Sequence, residues 1–223
     1  MDTSQVRRLY NIRINLLDML EDRGYHQESL DIHRQMTFDE FKDNYKKRNF
    51  DVRVDHSTLN QEIIVYYSDI NGSRIKKDDL LKGASVAINT RKPDKNTVLL
   101  ILINDPKMQA HIRTLISEFH AKYRAGKSDG EKISIETMPY RNLTYNPTKH
   151  NLVPEHRLIT DKDQIDAILS KYNTSKDKLP KILLNDVISK WFGGKLGNIF
   201  VIRRMTDRNR STYYFRTVAL RQN

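Results

Sequence analysis

Six consecutive apolar residues, Val98-Leu99-Leu100-Ile101-Leu102-Ile103, constrain this chain more than any other stretch. A strand with one wet face alternates in polarity, whereas an unbroken run of this length is typical of a strand covered on both faces. The run is far short of the roughly 20 residues that span a bilayer. A doubly covered strand needs helices on either side, and the neighbouring sequence supplies them. Residues 5–23 place Val6, Leu9, Leu16, Leu17 and Leu20 mostly on one helical face, with Gly24 as the stop. Thr37 opens a second helix, and Glu40 three residues on completes a capping box. Glu62 to Tyr67 is β-branched and aromatic and predicts a strand ended by Asn71-Gly72; Lys77 to about Asn89 predicts a helix. Asp105-Pro106 ends the apolar run and starts a helix to about Tyr123, because proline suits a first helical turn and Asp accepts its free amides. Ala125 to Lys132 reads as a polar loop, and Ile133 to Thr137 as a further strand. The expectation is a small α/β layer, a sheet with flanking helices.

Tyr140 to His150, with Pro147 and several Asn, is the expected domain boundary, giving domains 1–146 and 147–223. Leu152 to His156 is an extended entry segment that Pro154 stiffens. Thr160 is expected to cap a helix ending near Tyr172, and Asp186 a short helix ending at Gly193-Gly194. Strands over Asn198–Arg204 and Ser211–Leu220 finish the chain, which makes this part a small α+β module.

The formal charge is +11, and the excess is uneven: residues 190–223 hold eight Lys/Arg against one acid, Asp207. Such a field suits nucleic acid or an acidic protein surface; the plain alternative is a solvated basic face. Cysteine is absent, which excludes disulfides, thiolate metal ligands and thiol catalysis. Met1-Asp2-Thr3-Ser4-Gln5 has no signal-peptide pattern. The expected protein is intracellular and has no membrane association.

Two motifs hint at chemistry. Gly193-Gly194-Lys195-Leu196-Gly197 has the look of a phosphate loop, but it follows a helix, opens a strand and lacks the Gly-Lys-Ser/Thr ending. The simpler reading is a tight turn in which glycines, Gly194 and Gly197 above all, adopt positive φ. Pro93-Asp94 with Asp105-Pro106-Lys107 has the spacing of a metal-dependent nuclease site, with Glu62 or Asp69 as a further acid. Against it, Pro106 would interrupt a strand and Asp105 already serves as a helix cap. The seven histidines form no His-x₃-His pair, and no Gly-x-Ser-x-Gly elbow occurs. No catalytic residue, metal or cofactor is expected.

The order of elements from Leu152 to Arg216 resembles the fifth subunit shared by eukaryotic RNA polymerases I, II and III, whose C-terminal domain also occurs by itself as a small archaeal polymerase subunit. That family's Leu-Val-Pro-x-His segment is matched by Leu152 to His156, and its Leu-Pro-basic-Ile segment by Leu179 to Ile182. The glycine turn from Trp191 to Gly197 leads into a strand ending in arginine, Arg204, and Phe215-Arg216 matches the closing Tyr/Phe-Arg. Arg8-Leu9-Tyr10, Asp22-Arg23-Gly24-Tyr25 and Phe38-x-x-Phe41-Lys42 are similar to the start of the eukaryotic subunit's jaw domain. The apolar strand with Asp105-Pro106-Lys107 is similar to the family's strand and proline-containing loop near downstream DNA. Departures are present. Asp186-Val187-Ile188 lacks the usual proline, Lys195-Leu196-Gly197 stands for Lys-Arg-Gly, the hairpin Asp207 to Ser211 lacks glycine, and residues 124–132 look inserted. Asp-Pro-Lys also stands for Thr-Pro-Ser. With heavy Asn, Lys and Ile usage, these fit a fast-evolving or AT-rich source such as a large DNA virus.

The resemblance implies a non-catalytic structural subunit of a multisubunit DNA-dependent RNA polymerase. It implies an N-terminal jaw domain facing downstream duplex DNA and a C-terminal assembly domain docked on the largest subunit, among the other polymerase subunits. Pro154, His156, Gly193, Gly194, Lys195, Gly197, Arg204 and Arg216 would bind the partner. Pro106 and Lys107 would lie at DNA phosphates without reading bases. The location would be the nucleus of a cell, or the host cytoplasm or virion of a virus. A diverged metal nuclease built on Asp94, Asp105 and Lys107, and a free-standing DNA-binding factor using the basic C-terminus, stay open as alternatives.

Overall fold

The apolar run lies inside a four-stranded sheet. The computed structural model describes residues 3–46, 52–68, 77–92, 94–103, 110–124, 132–205 and 210–220. They fall into two units, one ending at Tyr145 and one beginning at Asn146. In the first, helices α1 (Thr3–Asp22), α2 (Gln27–Arg34) and α3 (Phe38–Lys46) precede strands β1 (Val52–Asp55) and β2 (Gln61–Tyr67). Helix α4 (Lys77–Thr90), strand β3 (Asn96–Ile103), helix α5 (Ala110–Arg124) and strand β4 (Ile133–Pro139) follow. The sheet order is β1-β2-β3-β4; β1 is antiparallel to β2, and the other pairs are parallel.

Strand β3 is buried from Thr97 to Ile103. On one face Ile64, Leu99, Ile101 and Ile135 pack with Leu80 of α4 and Ile112 of α5. Both crossover helices therefore lie on the same face, the arrangement that right-handed βαβ connections give to strands laid down in order. The opposite face, with Ile63, Val65, Val98, Leu100 and Leu102, is equally closed to water. Arg23, just past α1, reaches that face and pairs with Glu136 of β4 at 2.9 Å, beside Leu100 in the register. The Thr37–Glu40 capping box is present: Thr37 N–H donates to Glu40 Oε2 at 2.7 Å and Glu40 N–H to Thr37 Oγ1 at 3.3 Å. The sequence pattern predicts neither α2 nor β1. Asn71-Gly72, the helix start at Asp105-Pro106 and residues 125–131 of the expected loop lie outside the described residues.

The second unit contains β5 (Glu155–Ile159), α6 (Lys162–Lys171), β6 (Lys181–Leu183), α7 (Val187–Trp191), β7 (Ile199–Met205) and β8 (Ser211–Ala219). Its sheet order is β5-β7-β8-β6, with β7 and β8 an antiparallel hairpin and β6 parallel to β8. One face packs Ile159, Ile199 and Val201 against Ile165 of α6; the other packs Ile182, Phe200, Ile202 and Val218 against Ile188 of α7. Helix α6 is capped by Asp161, whose carboxylate accepts from Gln164 N–H at 2.9 Å, and not by the expected Thr160. Asp186 caps α7 as its position predicts, accepting from Ile188 N–H at 2.9 Å. No helix among the described residues is long and apolar enough to cross a membrane.

Candidate partner-binding surface

The turn from α7 into β7 is built by its glycines in two different ways. Gly193 (φ +67°) and Gly197 (φ +82°) lie in the left-handed region that side chains resist. Gly193 N–H donates to Lys190 O at 3.2 Å, and Gly197 N–H reaches across to Val218 O of β8 at 3.1 Å. Gly194 does not have the positive φ expected of it. It is needed for room: a Cβ there would sit 2.8 Å from Ser189 Oγ and 3.2 Å from Ser189 O. Lys195 is exposed, and its N–H is held by Asn198 Oδ1 at 2.8 Å.

Pro154 and His156 stand at the entry to β5. His156 Nδ1 lies 2.6 Å from Pro154 O; a carbonyl only accepts, so the ring carries its proton on Nδ1. The ring meets Phe200 edge-on at 6.0 Å, and burial holds its pKa below the ordinary imidazole value. Arg204 is exposed, with its guanidinium 5.0 Å from the Tyr214 ring centre. Arg216 is half-buried beside Phe200 in the hairpin register.

The structure brings some of these residues together and separates others. Pro154 and Arg204 line a cleft of about 760 Å³ with Leu152 and Met205. Arg204 and Arg216 line a second cleft of about 520 Å³. The glycine turn stands at the other end of the hairpin: Gly197 and Arg204 are separated by seven residues of nearly extended chain, on the order of 20 Å. Two aromatic residues that the sequence does not single out, Tyr213 and Tyr214, join Arg204 at the exposed end. The signal available for them is the polar-aromatic run Ser211-Thr212-Tyr213-Tyr214, unusual for an interior strand.

Pro106 and Lys107 lie outside the described residues, as do Pro93, Asp69 and Asp105 of the nuclease-like set. Of the described members of that set, the Glu62 carboxylate has structural partners, and Asp94 is bonded through its backbone. Glu62 is fully buried, and its Oε1 accepts from Lys92 N–H at 2.8 Å and from Thr97 Oγ1–H at 2.9 Å, tying the start of β3 to β2. The Asp94 carbonyl accepts from Asn60 Nδ2 at 2.8 Å. Among the described residues no three His, Asp or Glu side chains converge as a metal site would require.

Comparison with known proteins covers both units. Residues 3–119 match the family model for the RNA polymerase Rpb5 N-terminal domain, and residues 145–218 match that for the RNA polymerase Rpb5 C-terminal domain. The chain is 25% identical over 206 residues to the rpabc1 subunit of DNA-directed RNA polymerases I, II and III of Dictyostelium discoideum, covering 91% of this chain and 92% of that protein. It is 26% identical over 213 residues to the RPABC1 subunit of the same three polymerases in Caenorhabditis elegans, covering 92% and 93%. The DNA-directed RNA polymerase subunit Rpo5 of Pyrococcus horikoshii is 38% identical over 74 residues, 33% of this chain and 89% of that protein. These relatives lend no support to a nuclease or a free-standing DNA-binding factor.

Proposed function

The chain belongs to the RNA polymerase Rpb5 family, non-catalytic structural subunits of DNA-directed RNA polymerase, and from that premise we propose a division of labour between its two halves. Residues 147–223 form an assembly domain that docks on the largest polymerase subunit. Residues 1–146 form a jaw domain facing downstream duplex DNA. The observation that carries this reading is that similarity runs through nearly the whole chain and nearly the whole of its relatives, so the subunit role attaches to both units together. The residues proposed for docking are Pro154, His156, Gly193, Gly194, Lys195, Gly197, Arg204 and Arg216. Pro106 and Lys107 are proposed to meet DNA phosphates, which a net charge of +11 favours electrostatically. The protein is intracellular; its place is the nucleus in a eukaryotic cell, or the host cytoplasm or virion if its source is viral.

Affinity capture through a tagged full chain, expressed in its source, tests the reading. The expected result is co-purification of the very large polymerase chains. Of the two fragments, 147–223 should capture them and 1–146 should not. A full chain recovered without polymerase subunits would overturn the assignment, and capture by 1–146 alone would place the docking surface in the other unit. For DNA, Lys107→Ala in reconstituted polymerase should lower the salt slope of elongation-complex stability by about 0.9, equally for all downstream sequences. An unchanged slope removes Lys107 from the DNA contact.

A further inference from the structure

Strand β8 is nine residues long, but its outer neighbour β6 pairs only with Thr217, Val218 and Ala219. Among the described residues, Ser211 to Arg216 therefore have a strand partner on one side only, β7. The bonds at the far end of β8 show which way its backbone groups point. Thr217 N–H donates to Pro180 O, and Leu184 N–H donates to Ala219 O, both on the β6 side. Val218 N–H donates to Asn198 O, and Val218 O accepts from Gly197 N–H, both on the β7 side. Backbone groups change sides at each residue along a strand. Tyr213 and Phe215 thus aim N–H and C=O at the open edge. A row of unpaired groups of this kind is a template for a guest strand.

The two faces flanking that edge differ in chemistry. On the α7 side stand Tyr214, 47% exposed with Arg204 over its ring, and Arg216 two residues along. On the α6 side stand Tyr213, 55% exposed, and Tyr172, 51% exposed, whose ring lies 4.9 Å from that of Phe215. The cleft of about 520 Å³ follows this edge and is floored by Leu179 and Pro180 where β6 takes over the pairing. Neither Arg204 nor Arg216 has a carboxylate partner among the described residues. A guest strand would place alternate side chains on the two faces. The arginine face selects acidic residues and the tyrosine face selects apolar or aromatic ones.

We propose that the open edge of β8 takes an extended acidic segment of a partner chain, which adds to the sheet as a fifth strand. This rests on the assembly reading of the C-terminal unit and gives it a docking mode. A second copy of the same edge is disfavoured, because it would set Arg204 and Arg216 against their own counterparts.

The test compares backbone amide exchange in the free full chain and in assembled polymerase. The Tyr213 and Phe215 amides should slow by about tenfold or more on assembly, whereas Thr212 and Tyr214, already bonded to β7, should change little. Tyr213→Pro removes an outward donor and leaves the β7 ladder intact, and Arg204→Glu reverses the charge at an exposed site. Each should weaken capture of polymerase about tenfold while the free chain keeps its native spectrum. If Tyr213→Pro disturbs the fold, Arg204→Glu decides. Unchanged exchange at Tyr213 and Phe215 within a polymerase that contains the chain overturns the strand addition and leaves the assembly reading standing. A chain that captures no polymerase overturns that reading instead, and a peptide arm still decides the edge. The blocked peptide Glu-Val-Glu-Val-Glu-Val-Glu should protect those two amides of the full chain, and the Lys-Val counterpart should not. Equal protection by the lysine peptide, tighter binding of single-stranded DNA at this edge, or protection that grows with protein concentration alone, as self-pairing would give, each overturns the proposal.

Discussion

Strands β3 and β7 are interior strands of two different sheets, and they use their length differently. β3 stays buried from Thr97 to Ile103, whereas β7 is buried from Ile199 to Ile202 and exposed from Arg203 to Met205. In the first unit the sheet ends where its core ends. Strand β3 is covered on both faces, and its buried side chains have no contact left to offer. In the second unit the hairpin outruns α6 and α7: beyond the pairing of Arg203 with Glu155 of β5, its outer end is held by the β7–β8 ladder and presents Arg204, Tyr213 and Tyr214 to solvent. Burial per residue therefore separates what folding accounts for in each sheet from what it does not: where a strand buries little, folding does not account for its side chains.

The largest test of this contrast is Leu100→Ala in β3. Leu100 is fully buried between Val65 and Glu136 in the register, and its truncation should cost about 2–5 kcal/mol. Urea denaturation of the full chain, followed by probes in each unit, should show the loss in the first unit alone. A cost under about 1 kcal/mol would mean that the face carrying Leu100 is loosely packed and the contrast is weaker than it looks. Next in size is the glycine turn. Gly194→Ala drives a Cβ against Ser189 and should cost about 1–3 kcal/mol by overpacking. Gly197→Ala meets only Lys176 Nζ, at 3.8 Å, and should cost about 1 kcal/mol through its positive φ. Gly197→Val should also weaken capture of the largest subunit while the first unit stays folded, as a pull-down read alongside circular dichroism would show. Equal costs for the two alanine variants would show that Ser189 gives way to the new Cβ, leaving lack of space at Gly194 no costlier than the backbone angle at Gly197.

The features legible in the sequence are those with strong local causes. The apolar run, the Thr37–Glu40 box, the Asp186 cap and the Gly193–Gly197 turn each depend on a few neighbouring residues. The missed elements have almost no local signature. Helix α2 buries only Leu30, so it shows no apolar period; β1 has four residues and takes its identity from pairing with β2; β6 has three residues, of which one is buried. Thr160 and Asp161 are adjacent cap formers, and the sequence alone does not rank them. The candidate surface was legible as charge and, through the resemblance, in residues such as Arg204 and Arg216, but Tyr213 and Tyr214 were not singled out. Its open edge depends on β6 stopping at three residues, which is a property of tertiary pairing and leaves no mark on Ser211 to Arg216 themselves.

Acidification should separate the units by a smaller amount. His56 Nδ1 accepts from the N–H groups of Thr58 at 3.2 Å and Leu59 at 3.1 Å, and its Nε2–H donates to Arg23 O at 3.0 Å, an arrangement open only to the neutral ring. Burial lowers its pKa; burial and then the neighbouring Arg13 charge lower that of His33. In the second unit burial lowers that of His156. A folded-state pKa below the unfolded value of about 6.5 means that the unfolded chain binds more protons as pH falls. The stability contributed by these neutral rings is thus fully present above about pH 6.5 and is lost as pH falls below it toward each folded-state value. Among the described residues two such rings lie in the first unit and one in the second, so the first unit should lose more between about pH 7 and pH 5. Ring-proton NMR titration should find all three midpoints below about 6.5; a midpoint above it at His56 would mean the ring has left its hydrogen bonds.

The smallest expected effect is the most pointed. Arg203 occupies an interior strand, as Leu100 does, but on the uncovered stretch of β7. Its ion pair with Glu155 is 3.3 Å long, with side chains 46% and 67% exposed, and its Nε donates to Ser211 Oγ at 3.1 Å. Pairs this exposed contribute about 0–1 kcal/mol, because water screens the attraction and two long side chains lose freedom. Arg203→Ala should therefore change unfolding free energy by less than about 0.5 kcal/mol in the same denaturation experiment. A loss near 2 kcal/mol would mean that the outer hairpin is part of the fold's own support, and the basic and aromatic side chains there would then need no partner to explain them. A silent Arg203→Ala leaves the outer half of the hairpin without a folding role, which is the condition a docking strand has to meet.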